Sequence, residues 1–262
     1  MKAAPLFFTS GNKKDYAMNR IPLETISEET EIRFRDSFCV RYIQSAAVLC
    51  RLGHAIEKDY EAGRRISSET ILMHEAFILN SVLSSVAFLE SAVNELYSDA
   101  ADDAYDPADE ALGAIFRKIA DKWSNEKNFD RAPLLTKYQR ILTLAGREPF
   151  SESDPAFSNV RNLITIRNFL MHYRREWVTP VKHRTGEFRE ITQGERFEGI
   201  LSRAFRENPL ALKSAPFFPD RCLGHGCAEW AVINCLVITD TFFGRIGIPA
   251  PYEGIKKDLA TR

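Results

Sequence analysis

Residues 158–177, SNVRNLITIRNFLMHYRREW, constrain this chain more than any other stretch. They contain neither Gly nor Pro. Asp154 stands where an N-cap belongs and Pro155 suits the first helical position, so the sequence predicts one continuous helix here. At helical spacing the segment is apolar round most of its circumference. Leu163, Ile164, Leu170 and Met171 lie three or four residues either side of Arg167, and Ile166, Phe169 and Tyr173 line a second apolar face. One narrow stripe is polar: Arg161, Thr165, Asn168, His172 and Arg175. Such a pattern predicts a largely buried helix with one polar strip facing a cleft or a partner.

Arg167 lies off that stripe, among apolar neighbours. A guanidinium there needs an anion, because an unpaired buried charge costs several kcal/mol, roughly 3–5. Asn168 and His172 project about 40° apart on a helix, whereas Arg167 and His172 diverge by about 140°. A single helix aims the last two at one phosphate only with difficulty. Two copies about a two-fold axis would pair each arginine with the other's histidine.

The rest of the chain reads as helices. Residues 1–30 look like an irregular N-terminal arm. A first long helix is expected from near Thr30 to near Tyr60, with Phe34, Phe38, Tyr42, Ala46, Leu49, Leu52 and Ile56 on its apolar face. A second, capped by Ser67 or Ser68, runs to about Tyr97 and closes an antiparallel hairpin. Two shorter helices, near 107–123 and 133–145, read as an insertion whose role as a lid or a partner surface stays open. Residues 178–191 alternate weakly about Thr185-Gly186, as a short β-hairpin or loop would. A short helix is expected near 197–205. A strongly apolar last helix follows Cys227 and reaches Phe243 or Gly244, and the tail from Pro251 reads as loose. The expected architecture is all-α: one helical domain over 31–248 with an insertion at 107–147, and a tail at 249–262.

The second long helix carries Glu90 among Val86, Ala87 and Val93. A carboxylate on that face wants a cation, so Glu90 is expected to face Arg167 or Arg161 across the bundle. Such a pair either fixes helix register or supports a site.

The chain has 262 residues, with 45% hydrophobic and 27% charged content, which suits a globular protein with a proper core. Its formal net charge of −1 provides no global field for nucleic acid. The charge is unevenly spread, however. Residues 160–206 hold ten Lys or Arg against five Glu, leaving +5, whereas 97–110 is acidic. Lys182, His183, Arg184 and Arg189 are placed to touch a phosphate backbone. Five cysteines at irregular spacing suggest no disulfide framework, and a cytoplasmic location is expected. The apolar run at the N-terminus is too short for a secretory signal, and no segment reads as long enough to span a membrane.

Arg167-Asn168-Phe169-Leu170-Met171-His172 resembles the R-x4-H signature, with a polar second residue, of the HEPN superfamily (higher eukaryotes and prokaryotes nucleotide-binding). Residues 88–96 are similar to the second helix of that family, where an acid commonly lies near the motif. The resemblance implies an antiparallel helical bundle that dimerises through the motif helix. It also implies a metal-independent endoribonuclease of the kind common in toxin–antitoxin and phage-defence systems. In that reading Arg167 binds the scissile phosphate, His172 is general acid or base, and Asn168 orients one or the other. Glu90 and Arg161 support them, and Arg175, Lys182 and Arg184 hold RNA. The expected partners are RNA, a second copy and an antitoxin protein, with no cofactor, metal or membrane. The alternative is a non-catalytic helical interaction module, a role that other members of the superfamily have taken.

Other motifs point less far. Cys222-Leu-Gly-His225-Gly-Cys227 holds three potential metal ligands, but no fourth, and lacks the paired spacing of structural zinc sites. It reads better as a Gly-rich turn into a helix, with Cys227 a small buried residue. His54 and His74 sit within helical patterns as packing or rim histidines. No Walker loop, nucleophile elbow or H-E-x-x-H motif occurs.

Overall fold

The computed structural model describes residues 36–102, 110–125, 131–173 and 192–262. Its frame is an antiparallel hairpin of α1, Phe38–Glu61, and α2, Ser68–Ala101. With 34 residues, α2 is about 51 Å long. Ser67 caps it by accepting from the Thr70 N–H at 3.1 Å. The start of α1 is capped from outside. Glu95 of α2 accepts from the N–H groups of Phe38 and Cys39, at 2.9 and 2.8 Å, and from the Ser37 hydroxyl. Ser81 donates to the Ala46 carbonyl midway along the pair.

The buried face of α1 is Cys39, Ile43, Ala46, Ala47, Cys50, Gly53 and Glu57. This differs from the expected face: Phe38 and Leu52 are exposed. Small side chains together with Ile43 bring α1 close to its neighbours, while Phe38, Val48 and Leu52 point outward.

Helix α7, His225–Ile246, packs on α1, α2 and α5 (Pro155–Met171), and ends at Gly247 with φ 91°, a left-handed cap suited to glycine. Helices α3, Glu110–Asn125, and α4, Leu134–Leu144, are structural parts of the core. Phe116, Ile119, Ile141 and Leu142 are buried in it, and the Tyr138 hydroxyl donates to the Leu89 carbonyl at 2.8 Å. Gly146 closes α4 as expected, with φ 64°. Helix α6, Gln193–Leu201, starts with a reciprocal capping box between Thr192 and Glu195. The described residues contain no strand, in keeping with an all-α chain, and the expected hairpin at 178–191 lies outside them.

Two expectations need correction. The segment after Pro251 is docked rather than loose. Tyr252 is buried, donates to Asp240 at 2.7 Å and packs edge-on against Phe88, and a 3-10 helix, Glu253–Leu259, follows it. Arg51 of α1 donates to the carbonyls of Asp258 and Ala260. Secondly, α2 and α7 are long and apolar enough to cross a membrane by length and composition, with windows of mean hydropathy 1.6 and 1.2. Half or more of each window is buried inside the bundle, which accounts for much of that apolarity.

Candidate functional site

Helix α5, Pro155–Met171, presents the Arg-x4-His motif. Its start is as the sequence predicts: Asp154 accepts from the Ala156 N–H at 2.9 Å, and Pro155 occupies the first turn. Phe157, Val160, Leu163 and Ile166 are buried beneath it. Its end is not as predicted. The helix stops at Met171 instead of continuing to Trp177, and His172 is the C-cap, with φ −116° and ψ 32°. The physical reason is loss of packing. Phe169 meets Phe197 and Phe218 at 5.6 and 5.3 Å between ring centroids, and Leu170 is the last residue of the helix packed against the core. Beyond it Met171 and Tyr173 are 60% and 53% exposed, so burial holds the helix only weakly past Leu170.

The early stop changes the motif. The polar stripe of the sequence breaks at His172, whose imidazole now sits on the helix end instead of one turn above Asn168. The His172 N–H still bonds the Asn168 carbonyl at 3.0 Å. Asn168 and His172 are exposed and Arg167 is half-buried, so all three reach solvent at one end of α5.

Arg167 finds the anion that its surroundings demand. Its Nη2 lies 3.4 Å from Oε2 of Glu90, joining α5 to α2 as the sequence predicts. The pair is not sealed in the core, however: the side chains are 26% and 49% exposed. An ion pair so placed is worth roughly 0–1 kcal/mol, and the guanidinium can be redirected cheaply. Arg161 does not share Glu90; it pairs with Glu152 at the exposed start of the helix. Arg175, Lys182 and Arg184 lie outside the described residues.

A second polar cluster was not anticipated as a unit. Glu57 is buried in α1, and its Oε1 meets His74 Nε2 at 2.9 Å and the His225 N–H at 2.6 Å. Glu57 therefore serves as an external cap for α7, where an anion is favoured at the helix N-terminus. The Gly-rich turn is required for this approach. A Cβ on Gly224 would stand 2.7 Å from the Asn208 Cα and 3.0 Å from Glu57 Oε1, and one on Gly226 would overlap the Arg206 carbonyl. His54 packs against His225 with the rings tilted by 40° and their centroids 4.3 Å apart. Burial, His225 and Arg262 together push its pKa below the usual histidine range. The available signal was Glu57 itself, a carboxylate four residues after Gly53 and seven after Cys50, on the phase of small residues that forms the true core face.

All five cysteines are free and buried. Burial pushes the thiols of Cys39 and Cys50 up to about 12. Among the described residues, no group of three or more His, Cys, Asp or Glu side chains is gathered to hold a metal ion. Comparison with protein families, curated proteins and solved structures gives no match.

Proposed function

We propose that this chain is a metal-independent endoribonuclease of HEPN type, working in the cytoplasm as a homodimer through the end of α5. The reading rests on the sequence resemblance, and one observation supports it above others: Arg167, Asn168 and His172 reach solvent together at the end of one helix, with Arg167 held by a weak pair that a phosphate can displace. Arg167 binds the scissile phosphate and stabilises the charge that develops on it. His172 takes the proton of the ribose 2′-hydroxyl or delivers one to the 5′-oxygen. Asn168 orients the histidine or the phosphate. The 2′-oxygen forms a bond to phosphorus as the bond to the 5′-oxygen breaks. The products are a 2′,3′-cyclic phosphate and a 5′-hydroxyl.

The divergence of Arg167 and His172 on one helix is relieved when each meets the other's counterpart across a two-fold axis. Exposed Met171 and Tyr173 beside the motif offer apolar surface for that contact. A toxin–antitoxin or phage-defence role, with an inhibitory protein partner, belongs to the same reading. Incubation with a labelled RNA in EDTA tests it. Cleavage leaving cyclic-phosphate ends, with a 2′-deoxy substitution at the cleaved position blocking the cut, is expected. Cleavage that EDTA abolishes, or that spares no deoxy substrate, contradicts it.

A second reading is a non-catalytic interaction module in which the same stripe of α5 serves as a dimer or partner interface, beside exposed Met171 and Tyr173. It predicts that Arg167→Ala and His172→Ala weaken association with no cleavage to lose.

A further inference from the structure

Apart from the α5 motif, the molecule holds a cavity of about 410 Å³ between α1, α7 and the segment around Phe205. One wall is aromatic: Phe205 and Trp230 have ring centroids 5.5 Å apart. The tilted, contacting rings of His54 and His225 also line it. At its head is Glu229, whose carboxylate is only 15% exposed. That carboxylate is gripped in fork geometry by Arg262, with Nε on Oε1 at 2.7 Å and Nη2 on Oε2 at 2.6 Å. The Thr261 hydroxyl donates to the same Oε1 at 2.9 Å, and the Thr261 carbonyl meets His225 Nε2 at 3.1 Å.

The two partners of this fork are unequal. Glu229 is fixed on α7 and nearly enclosed, whereas the Arg262 side chain is 67% exposed. The acceptor is built into the fold, and the guanidinium enters from outside. Of the other charged groups at the cavity, Arg206 pairs with Glu61, and Glu57 is occupied by His74 and the His225 N–H. Taking Arg262 out would open the Glu229 carboxylate to the cavity without its cation, beside two aromatic rings. That surface selects a cation and rejects an anion.

We propose that this cavity is a receptor for a small organic cation with a guanidinium or amine head, and that Arg262 occupies it in cis as a displaceable plug. The ligand's head takes the place of the Arg262 fork on Glu229, and its body packs on Phe205 and Trp230. The volume lies at the small end of ligand pockets, roughly 300–1,000 Å³, so the ligand is of amino-acid or polyamine size and not a nucleic-acid strand. The inference is independent of the ribonuclease reading, because it involves neither the α5 motif nor RNA.

Calorimetric titration of the full chain with agmatine tests this, with N-acetyl-Gly-Arg-Gly-amide as a second probe to separate a free cation from the arginine of a protein partner. Arg262→Ala should bind agmatine at least about ten-fold more tightly than the wild type, the gain expected when a competing intramolecular fork is removed. Arg262→Ala combined with Glu229→Gln should lose that gain while keeping the shape of the side chain. Arg262→Gln, which stays long and polar, serves in place of Arg262→Ala should the latter unfold. If neither probe binds an open variant, or if binding survives Glu229→Gln, the proposal is overturned and Arg262 merely fastens the segment after Tyr252.

Discussion

At Gly226 a single hydrogen separates the start of α7 from the Arg206 backbone. A Cβ there would overlap the Arg206 carbonyl, and backbone atoms cannot rotate away as a side chain can. Gly226→Ala should therefore cost about 1–3 kcal/mol, read as a lower urea midpoint with an unchanged slope. Gly53→Ala is an instructive contrast. Its new methyl would stand 2.5 Å from Cδ1 of Ile78, the far end of a flexible side chain, while α1 gains helix propensity. Its cost should be visibly smaller, and equal losses would contradict this account of the Gly-rich turn. Arg167 was legible at the same scale: a lone guanidinium among apolar positions announced a carboxylate partner, and Glu90 is that partner. The exposure of the pair was not legible, because it depends on how α2 and α5 approach each other. Glu90→Gln should accordingly change stability by less than about 1 kcal/mol.

The helices themselves were largely written in the sequence, and the errors fall where tertiary contacts decide. Asp154 and Pro155 mark the start of α5 locally, but nothing local marks its end, since Met171 and Tyr173 are apolar and it is their exposure in the fold that sets them apart from the residues before them. The buried face of α1 departs from the expected one because Cys, Ala and Gly carry little hydrophobic weight, yet allow the closest packing. Its N-terminus was equally hidden: Ser37 makes no cap with its own side chain, and Glu95, 57 residues after Phe38, does the work. Glu95→Ala should cost about 1–2 kcal/mol and expose the first turn of α1 to faster amide exchange. Unchanged protection at Phe38 and Cys39 would contradict that role.

For the molecule as a whole, the fold draws the chain after Tyr252 against α1 and α7, where Arg262 lies near both His54 and Glu229. His54 is held below its ordinary range, so the unfolded chain binds more protons as the pH falls below about 6.5, and stability declines through that window. Glu229 is held low by Arg262, and its contribution, present above the ordinary carboxylate range, is lost at still lower pH. The urea midpoint should fall in that order; a midpoint constant from pH 7 to about pH 5 would contradict the His54 assignment, and one constant below about pH 4.5 the Glu229 assignment. The central claim concerns the end of α5, where the sequence motif and the exposed Arg167, Asn168 and His172 coincide. Its most direct measurement is cleavage of a labelled RNA panel in EDTA by the wild type, His172→Ala and Arg167→Ala, each first shown to keep its fold and oligomeric state. The account predicts cleavage by the wild type and a loss of at least about a hundred-fold in His172→Ala. Full activity in His172→Ala would contradict it.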